Sequence, residues 1–178
     1  MIESALAQAA TSRESIDCIC VGLGPGSYTG IRVAISVAQG WQLAREVKLL
    51  GVSSVECLAQ QASESGHVGT LNVAIDAQRG EFYLAGYTMS ESMMKVDEPL
   101  RIVSAAEVQA RISSAQKVIG PRLSVFFVGA CEMSPHAATL ARLAAERTDF
   151  LPGEQLEPIY LRPTSFVKAP PPRVVPPL

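Results

Sequence analysis

A chain of 178 residues is long enough for one domain or two small ones, with a real core in either case. Hydrophobic residues make up 48% and charged residues 18%, a packed globular balance with apolar surface to spare, of the kind often hidden against a partner. The 15 Lys and Arg are scattered among 17 Asp and Glu for a formal charge of −2, which argues against independent RNA binding, since phosphate contacts need a basic patch.

Residues 2–10 read as the end of a helix, with no capping residue to introduce them. Ile16 to Leu23 is apolar apart from Asp17 and predicts a strand buried on both faces. A glycine-rich turn, Gly22-Leu-Gly-Pro-Gly-Ser-Tyr-Thr-Gly30, leads into a helix over 28–46, and Lys48 to Gly51 predicts a second strand. Ser53 with Glu56 three residues on has the form of a capping box. This strand–helix–strand–helix unit implies parallel strands and a right-handed crossover.

Beyond Gly66 the pattern changes. Leu71, Val73 and Ile75 alternate with Asn72, Ala74 and Asp76, and Phe82, Leu84 and Gly86 alternate likewise around the turn 77–80, which predicts a β-hairpin. Leu100 to Val103 offers a third antiparallel strand, and Ser104 with Glu107 caps a helix to about Ser113. Leu123 to Val128 reads as another strand, and Ser134-Pro135 as the start of a helix to about Arg147. The expectation is an α/β chain of two lobes, 1–66 and 67–162, followed by a tail, 163–178, with six prolines in sixteen residues and an extended form.

The glycine turn fits none of three enzyme motifs. A Walker A loop needs Gly-Lys-Ser/Thr, but Gly30 is followed by Ile31-Arg32. A nucleophile elbow needs glycines flanking Ser27 at two residues, where Pro25 and Thr29 stand. A dinucleotide fingerprint from Gly22 meets Ser27 where its last glycine belongs. Two readings stay open for Gly24, Gly26, Ser27, Tyr28, Thr29, Gly30 and Arg32: a tight turn for close helix–strand packing, or a weak anion site of backbone N–H groups.

In the helix that follows, Arg32, Ser36, Gln39, Gln42 and Glu46 form one narrow polar stripe, and nearly everything else is apolar. A helix resting on a sheet needs an apolar arc of only about 100°. The surplus face, with Ala34, Val37, Ala38 and Trp41, packs either on another part of the chain or on a partner. Asp76, Arg79 and Glu81 cluster at the hairpin turn, where ordinary turn and cross-strand pairing accounts for them. Cys18, Cys20, Cys57 and Cys131 form no CxxC pair and have no His at zinc spacing, so they read as free core residues and no metal site is expected. No signal peptide or membrane-spanning run is evident, and the chain reads as cytoplasmic.

Three stretches carry a family resemblance. Gly22-Leu-Gly-Pro-Gly-Ser-Tyr-Thr-Gly-Ile-Arg-Val, followed by Ala38-Gln-Gly40 and Gly51-Val-Ser-Ser, is similar to the signature of the TsaB (YeaZ) family. Ile75-Asp-Ala-Gln-Arg-Gly-Glu-Phe-Tyr83 resembles that family's Asp-Ala-x-x-Gly-Glu hairpin, and Glu157-Pro-Ile-Tyr-Leu-Arg162 its Pro-x-Tyr-Leu-Arg. The glycine element also occurs in the paralogue TsaD, which carries a His-x-x-x-His metal motif; here the two histidines, His67 and His136, stand far apart.

The resemblance implies an actin/Hsp70-like (ASKHA) fold of two related lobes, with no catalytic activity of its own and no cofactor. It implies partnership with a TsaD-like catalytic paralogue and a TsaE-like ATPase to make N6-threonylcarbamoyladenosine in tRNA, with tRNA met through the complex. It also implies homodimerisation through first-lobe helices. Family members begin with a strand carrying Asp-Thr-Ser/Thr, then a hairpin and a long helix. Met1 falls inside that helix, so the first lobe is expected to be truncated, with two of five strands. Two other functions compete: a nucleotide-binding ASKHA-type enzyme using the glycine turn, and a scaffold acting through its proline-rich tail.

Overall fold

The computed structural model describes residues 2–90 and 93–162, so the tail at 163–178 lies outside the described residues. Two sheets carry the fold. Helix α1 (Ile2–Gln8) is shorter than expected and ends before Ala10, which takes a left-handed φ of 48°. A 3-10 turn at Arg13–Ser15 claims the approach to strand β1 (Cys18–Gly22), which is therefore five residues long and not the eight of 16–23. Helix α2 (Tyr28–Arg45) then crosses over to strand β2 (Lys48–Val52), and β1 and β2 pair in parallel from Cys18–Lys48 to Gly22–Val52. Ile35 and Ala38 of α2 pack on Val21, Val47 and Leu49, and Leu156 from the far end of the chain closes this core.

Ser53 stands at the N-cap of helix α3 (Ser54–Glu64), but its side chain makes no capping hydrogen bond. Its hydroxyl donates instead to the Gly24 carbonyl at 3.4 Å, so the expected box with Glu56 does not form. The second sheet has the order β5-β4-β3-β6-β7. Strands β3 (Gly69–Asp76) and β4 (Glu81–Met89) make the expected hairpin, in register from Gly69–Met89 to Asp76–Phe82. Strand β5 (Met94–Ser104) extends the antiparallel run and is longer than Leu100–Val103. The period-2 alternation of β3 puts Leu71, Val73 and Ile75 against Val55, Leu58 and Ala59 of α3. Ala74 faces the opposite core with Phe82, Val103 and Val108, the last from helix α4 (Ala105–Ser113). Ser104 does cap α4, accepting from Glu107 N–H at 3.4 Å.

The strand expected at 123–128 is not there. Strand β6 (Lys117–Gly120) takes its place, pairing in parallel with Leu71–Val73 of β3. Gly120 passes so close to β3 that an added methyl would run into the Ala74 carbonyl, and Pro121 then turns the chain away. Leu123–Val125 forms a 3-10 turn that buries Leu123 and Phe127 and leaves Val125 and Val128 67% and 94% exposed. Local β-propensity loses here because the edge of β3 is already occupied.

After the short strand β7 (Cys131–Glu132), helix α5 runs from Ala137 to Ala145, starting later and ending sooner than 134–147. Gln61 of α3 holds its approach, donating to the Ser134 carbonyl at 3.0 Å and accepting from His136 N–H at 2.9 Å. Arg147 leaves the helix to pair with Asp149 at 2.5 Å.

Candidate functional site

The glycine turn is held from three sides. Leu23 N–H donates to Val52 O at 2.9 Å, Ser54 N–H to Gly24 O at 2.7 Å, and Ile159 N–H to Leu23 O at 2.9 Å. Gly24 has a φ of 90°, which demands glycine, and the Ile31 Cδ1 tip packs 2.6 Å from where a Cβ would stand. Ser27 caps α2, its Oγ accepting from Gly30 N–H at 3.2 Å. These contacts pack the turn tightly between the end of β2, the start of α3 and the C-terminal segment.

Past the cap, Tyr28 stacks on Tyr160 with ring centroids 5.7 Å apart and planes at 27°. The Arg32 guanidinium lies 4.3 Å over the Tyr28 ring, and its Nε donates to the Tyr160 hydroxyl at 2.9 Å. That hydrogen bond pushes the Arg32 pKa up, further above a value at which the guanidinium is already charged.

The hairpin turn faces this cluster. Asp76 accepts from Gln78 N–H at 2.7 Å and from Gln78 Nε2 at 3.0 Å, an Asx turn that supports left-handed φ values of 65° and 61° at Gln78 and Arg79. Glu81 pairs with Arg162 at 2.5 Å, and Arg162 also donates to the Ala77 carbonyl at 3.1 Å. Asp76 thus makes an ordinary turn contact of the kind the sequence leads one to expect. Among the described residues no ion pair joins Asp76, Arg79 and Glu81, because the turn bends Asp76 onto its own backbone and Arg162 takes Glu81.

Between the two turns lies a cleft of about 750 Å³, lined by Pro25, Gly26, Ser27, Tyr28, Ile31 and Arg32 on one side. Asp76–Arg79 and Tyr83 line the other, and Ile159, Tyr160 and Arg162 one end. Three arginines and three tyrosines against one lining carboxylate make this a cationic, aromatic cavity in a chain of net charge −2. Such a lining suits an anionic or hydrogen-bonding ligand. Of the expected turn residues, Gly26, Ser27, Tyr28 and Arg32 line the cleft, while Gly24, Thr29 and Gly30 do not. Tyr83, Tyr160 and Arg162 also line the site, and no local motif singles them out, although all three stand inside the family-like stretches. Among the described residues no three His, Cys, Asp or Glu come together as a metal site.

The outer face of α2 is a second candidate surface. Val33 and Val37 are 57% and 39% exposed, and Ala34 is exposed beside them. With Trp41, which is half-buried, they border an apolar groove of about 520 Å³ that reaches α1 and β1. Ala38, 1% exposed, lines the floor of that groove and packs into the core beneath it. The polar stripe is not simply solvated either, because Gln39 and Gln42 turn inward to the backbone of Gly153. No helix among the described residues is long and apolar enough to cross a membrane.

Residues 1–134 match the family model described as TsaD, tRNA N6-adenosine threonylcarbamoyltransferase. The tRNA threonylcarbamoyladenosine biosynthesis protein TsaB of Escherichia coli (strain K12) is 35% identical over 108 residues, 61% of this chain and 47% of that protein. The TsaB of Haemophilus influenzae is 33% identical over 48% of this chain and 36% of that protein. The chain thus spans half or less of the length of these curated relatives. The solved structure of YeaZ from Pseudomonas aeruginosa superposes with a TM-score of 0.75 at 27% identity, over 90% of this chain and 82% of that one. With its α/β fold of ASKHA type, the chain belongs to the family that this model describes, on the TsaB (YeaZ) side of it.

Proposed function

We propose that this chain is a non-catalytic, cytoplasmic partner subunit of the assembly that makes N6-threonylcarbamoyladenosine in tRNA. In this role it docks a TsaD-like transferase, or a second copy of itself, through the outer face of α2, and a TsaE-like ATPase joins the same assembly. The observation that carries the proposal is the apolar outward face formed by Val33 and Val37 beside the groove. Exposed branched side chains in a row on one helix are characteristic of a helix that expects a neighbour. The names of the curated relatives, biosynthesis proteins TsaB, support the pathway. A net charge of −2 fits a subunit that meets tRNA through its partners. The chain divides into lobes at 1–66 and 67–162, and its proline-rich stretch 163–178 lies outside the described residues.

The test is co-purification with a TsaD-like and a TsaE-like protein, comparing Val37→Glu with the unaltered chain. Glutamate at 37 would bury an uncompensated charge in the interface, at a cost of roughly 3–5 kcal/mol, and should abolish binding while leaving the fold intact. Ala38→Glu cannot serve here, because residue 38 is inside the core and its loss would be one of folding. Undiminished capture of the Val37→Glu chain would move the interface elsewhere. ATP turnover by the isolated chain that disappears on changing Arg32 or Thr29 would favour the enzyme reading instead.

A further inference from the structure

Among the described residues no hydrogen bond or ion pair joins the glycine turn directly to the hairpin turn. Both are held by the same short segment, 157–162. Ile159 N–H donates to Leu23 O at 2.9 Å, which seats the segment on the first turn. Tyr160 adds its ring against Tyr28 and its hydroxyl to Arg32. Two residues later Arg162 reaches the other side, donating to Ala77 O at 3.1 Å and pairing with Glu81 at 2.5 Å.

We propose that residues 157–162 are a strap that couples the two turns and sets the width of the cleft between them. Three covalently consecutive residues, Tyr160 to Arg162, span the gap, so the aromatic end and the ionic end cannot move independently. Arg162 donates two charge-assisted bonds, the shorter to the Glu81 carboxylate, the kind that hold geometry best. The stacked tyrosines resist sliding over a preferred offset arrangement. A ligand entering the cleft, or a partner pressing on the start of α2, would therefore be felt at the hairpin turn 77–81. Tyr160 and Arg162 act in this as positioning residues, holding Arg32 and Glu81 at the cleft's two margins.

The experiment is amide exchange by NMR on the full chain, read across the cleft from the site of change. Gly30 and Ile31 N–H, bonded to Ser27, report on the first turn; Ala77 and Glu81 N–H, bonded within the hairpin turn, report on the second. Arg162→Ala removes contacts to the hairpin side alone, yet it should speed exchange at Gly30 and Ile31 by about tenfold. Tyr160→Phe should do the converse at Ala77 and Glu81, and Arg162→Lys should recover part of the protection. Val73 and Ile119, in the centre of the second sheet, should not change and serve as the control for global destabilisation. If each variant speeds exchange only at its own end, the two turns are independent and there is no strap. Should Arg162→Ala fail to fold, Tyr160→Phe decides the matter alone, since it deletes one hydroxyl and keeps the ring.

Discussion

The backbone N–H of Gly153 donates to Oε1 of Gln42 at 2.7 Å, which ties the C-terminal segment to the last turn of α2. Gln39 completes the clamp, its Nε2 donating to the Gly153 carbonyl at 2.7 Å, while Gln42 Nε2 reaches Val47 O at 3.4 Å. Gly153 is buried, so its N–H has no water to fall back on. Gln42→Ala should therefore cost about 1–3 kcal/mol, the price of a stranded buried donor. Urea unfolding would read it as a lower midpoint at an unchanged slope. A midpoint equal to that of the unaltered chain would mean the segment 151–156 docks without this clamp.

Two glycines make the same substitution run in opposite directions. At Gly120 a new Cβ would overlap the Ala74 carbonyl oxygen and approach Leu123 Cδ1 at 3.0 Å, and strand backbone cannot yield as a side-chain tip can. Gly120→Ala should destabilise by roughly 3 kcal/mol or more through lost β3–β6 pairing. Gly40 lies inside α2 with open space where a Cβ would stand. Gly40→Ala should stabilise by about 1 kcal/mol, the difference in helix propensity. Thermal unfolding of both variants checks the pair, and equal shifts would refute the steric account of Gly120.

How far this could be read beforehand differs from element to element. The hairpin at 69–89 is legible because Leu71, Val73 and Ile75 recur at every second residue and its turn contains glycine, and α2 because its apolar residues recur through eighteen positions. Strand β6 was hidden because Lys117–Gly120 is short and ordinary, while Leu123–Val128 has the richer β composition. What selects between them is a vacant edge on β3 and a glycine small enough to pass Ala74, and neither is local. The cleft was half legible. Its glycine turn and hairpin turn each stand out in the sequence, but Tyr160 meets Arg32 across 128 residues of chain, and no periodicity records such a contact.

Glu64 supplies a pH dependence that can be isolated. Its carboxylate is pulled down from 4.5 to about 2, first by the hydrogen bond from Arg142 of α5 and further by Gln60 and Thr139. A carboxylate whose folded pKa lies below its unfolded value stabilises the fold above the unfolded value and loses that contribution as pH falls toward the folded one. The window is therefore pH 4.5 down to about 2. Glu64→Gln should be less stable than the unaltered chain at pH 6, and the gap should close as the pH falls through this window. Glu98, Glu107 and Asp149 are lowered too, so the comparison between the two chains, not the slope of either alone, carries the test. A gap independent of pH would show that the Arg142 contact does not distinguish folded from unfolded protein.

The least protected strand should be β1. It pairs with β2 on one side, and among the described residues no strand lies on its other side. In a parallel pair alternate residues direct their N–H groups away from the partner, so about half the amides of Cys18–Val21 have no ladder acceptor. The edge is also apolar throughout, without the lysine, proline or bulge that discourages pairing with another chain. Strand β3 is in the opposite position: Leu71–Val73 is paired with β4 on one side and β6 on the other. Two-stranded sheets are marginal on their own, and here α2 covers one face while residues of α5 approach Cys18 and Cys20 on the other. Amides at 18–21 should then exchange at least about a hundredfold faster than those at 71–73 in dilute solution, because local opening of an edge needs far less than global unfolding. Raising the protein concentration should slow exchange at 18–21 selectively if chains pair through this edge. Equal protection of the two strands in a monomer would mean that the apolar groove beside β1 is closed in solution, and that this edge is not free.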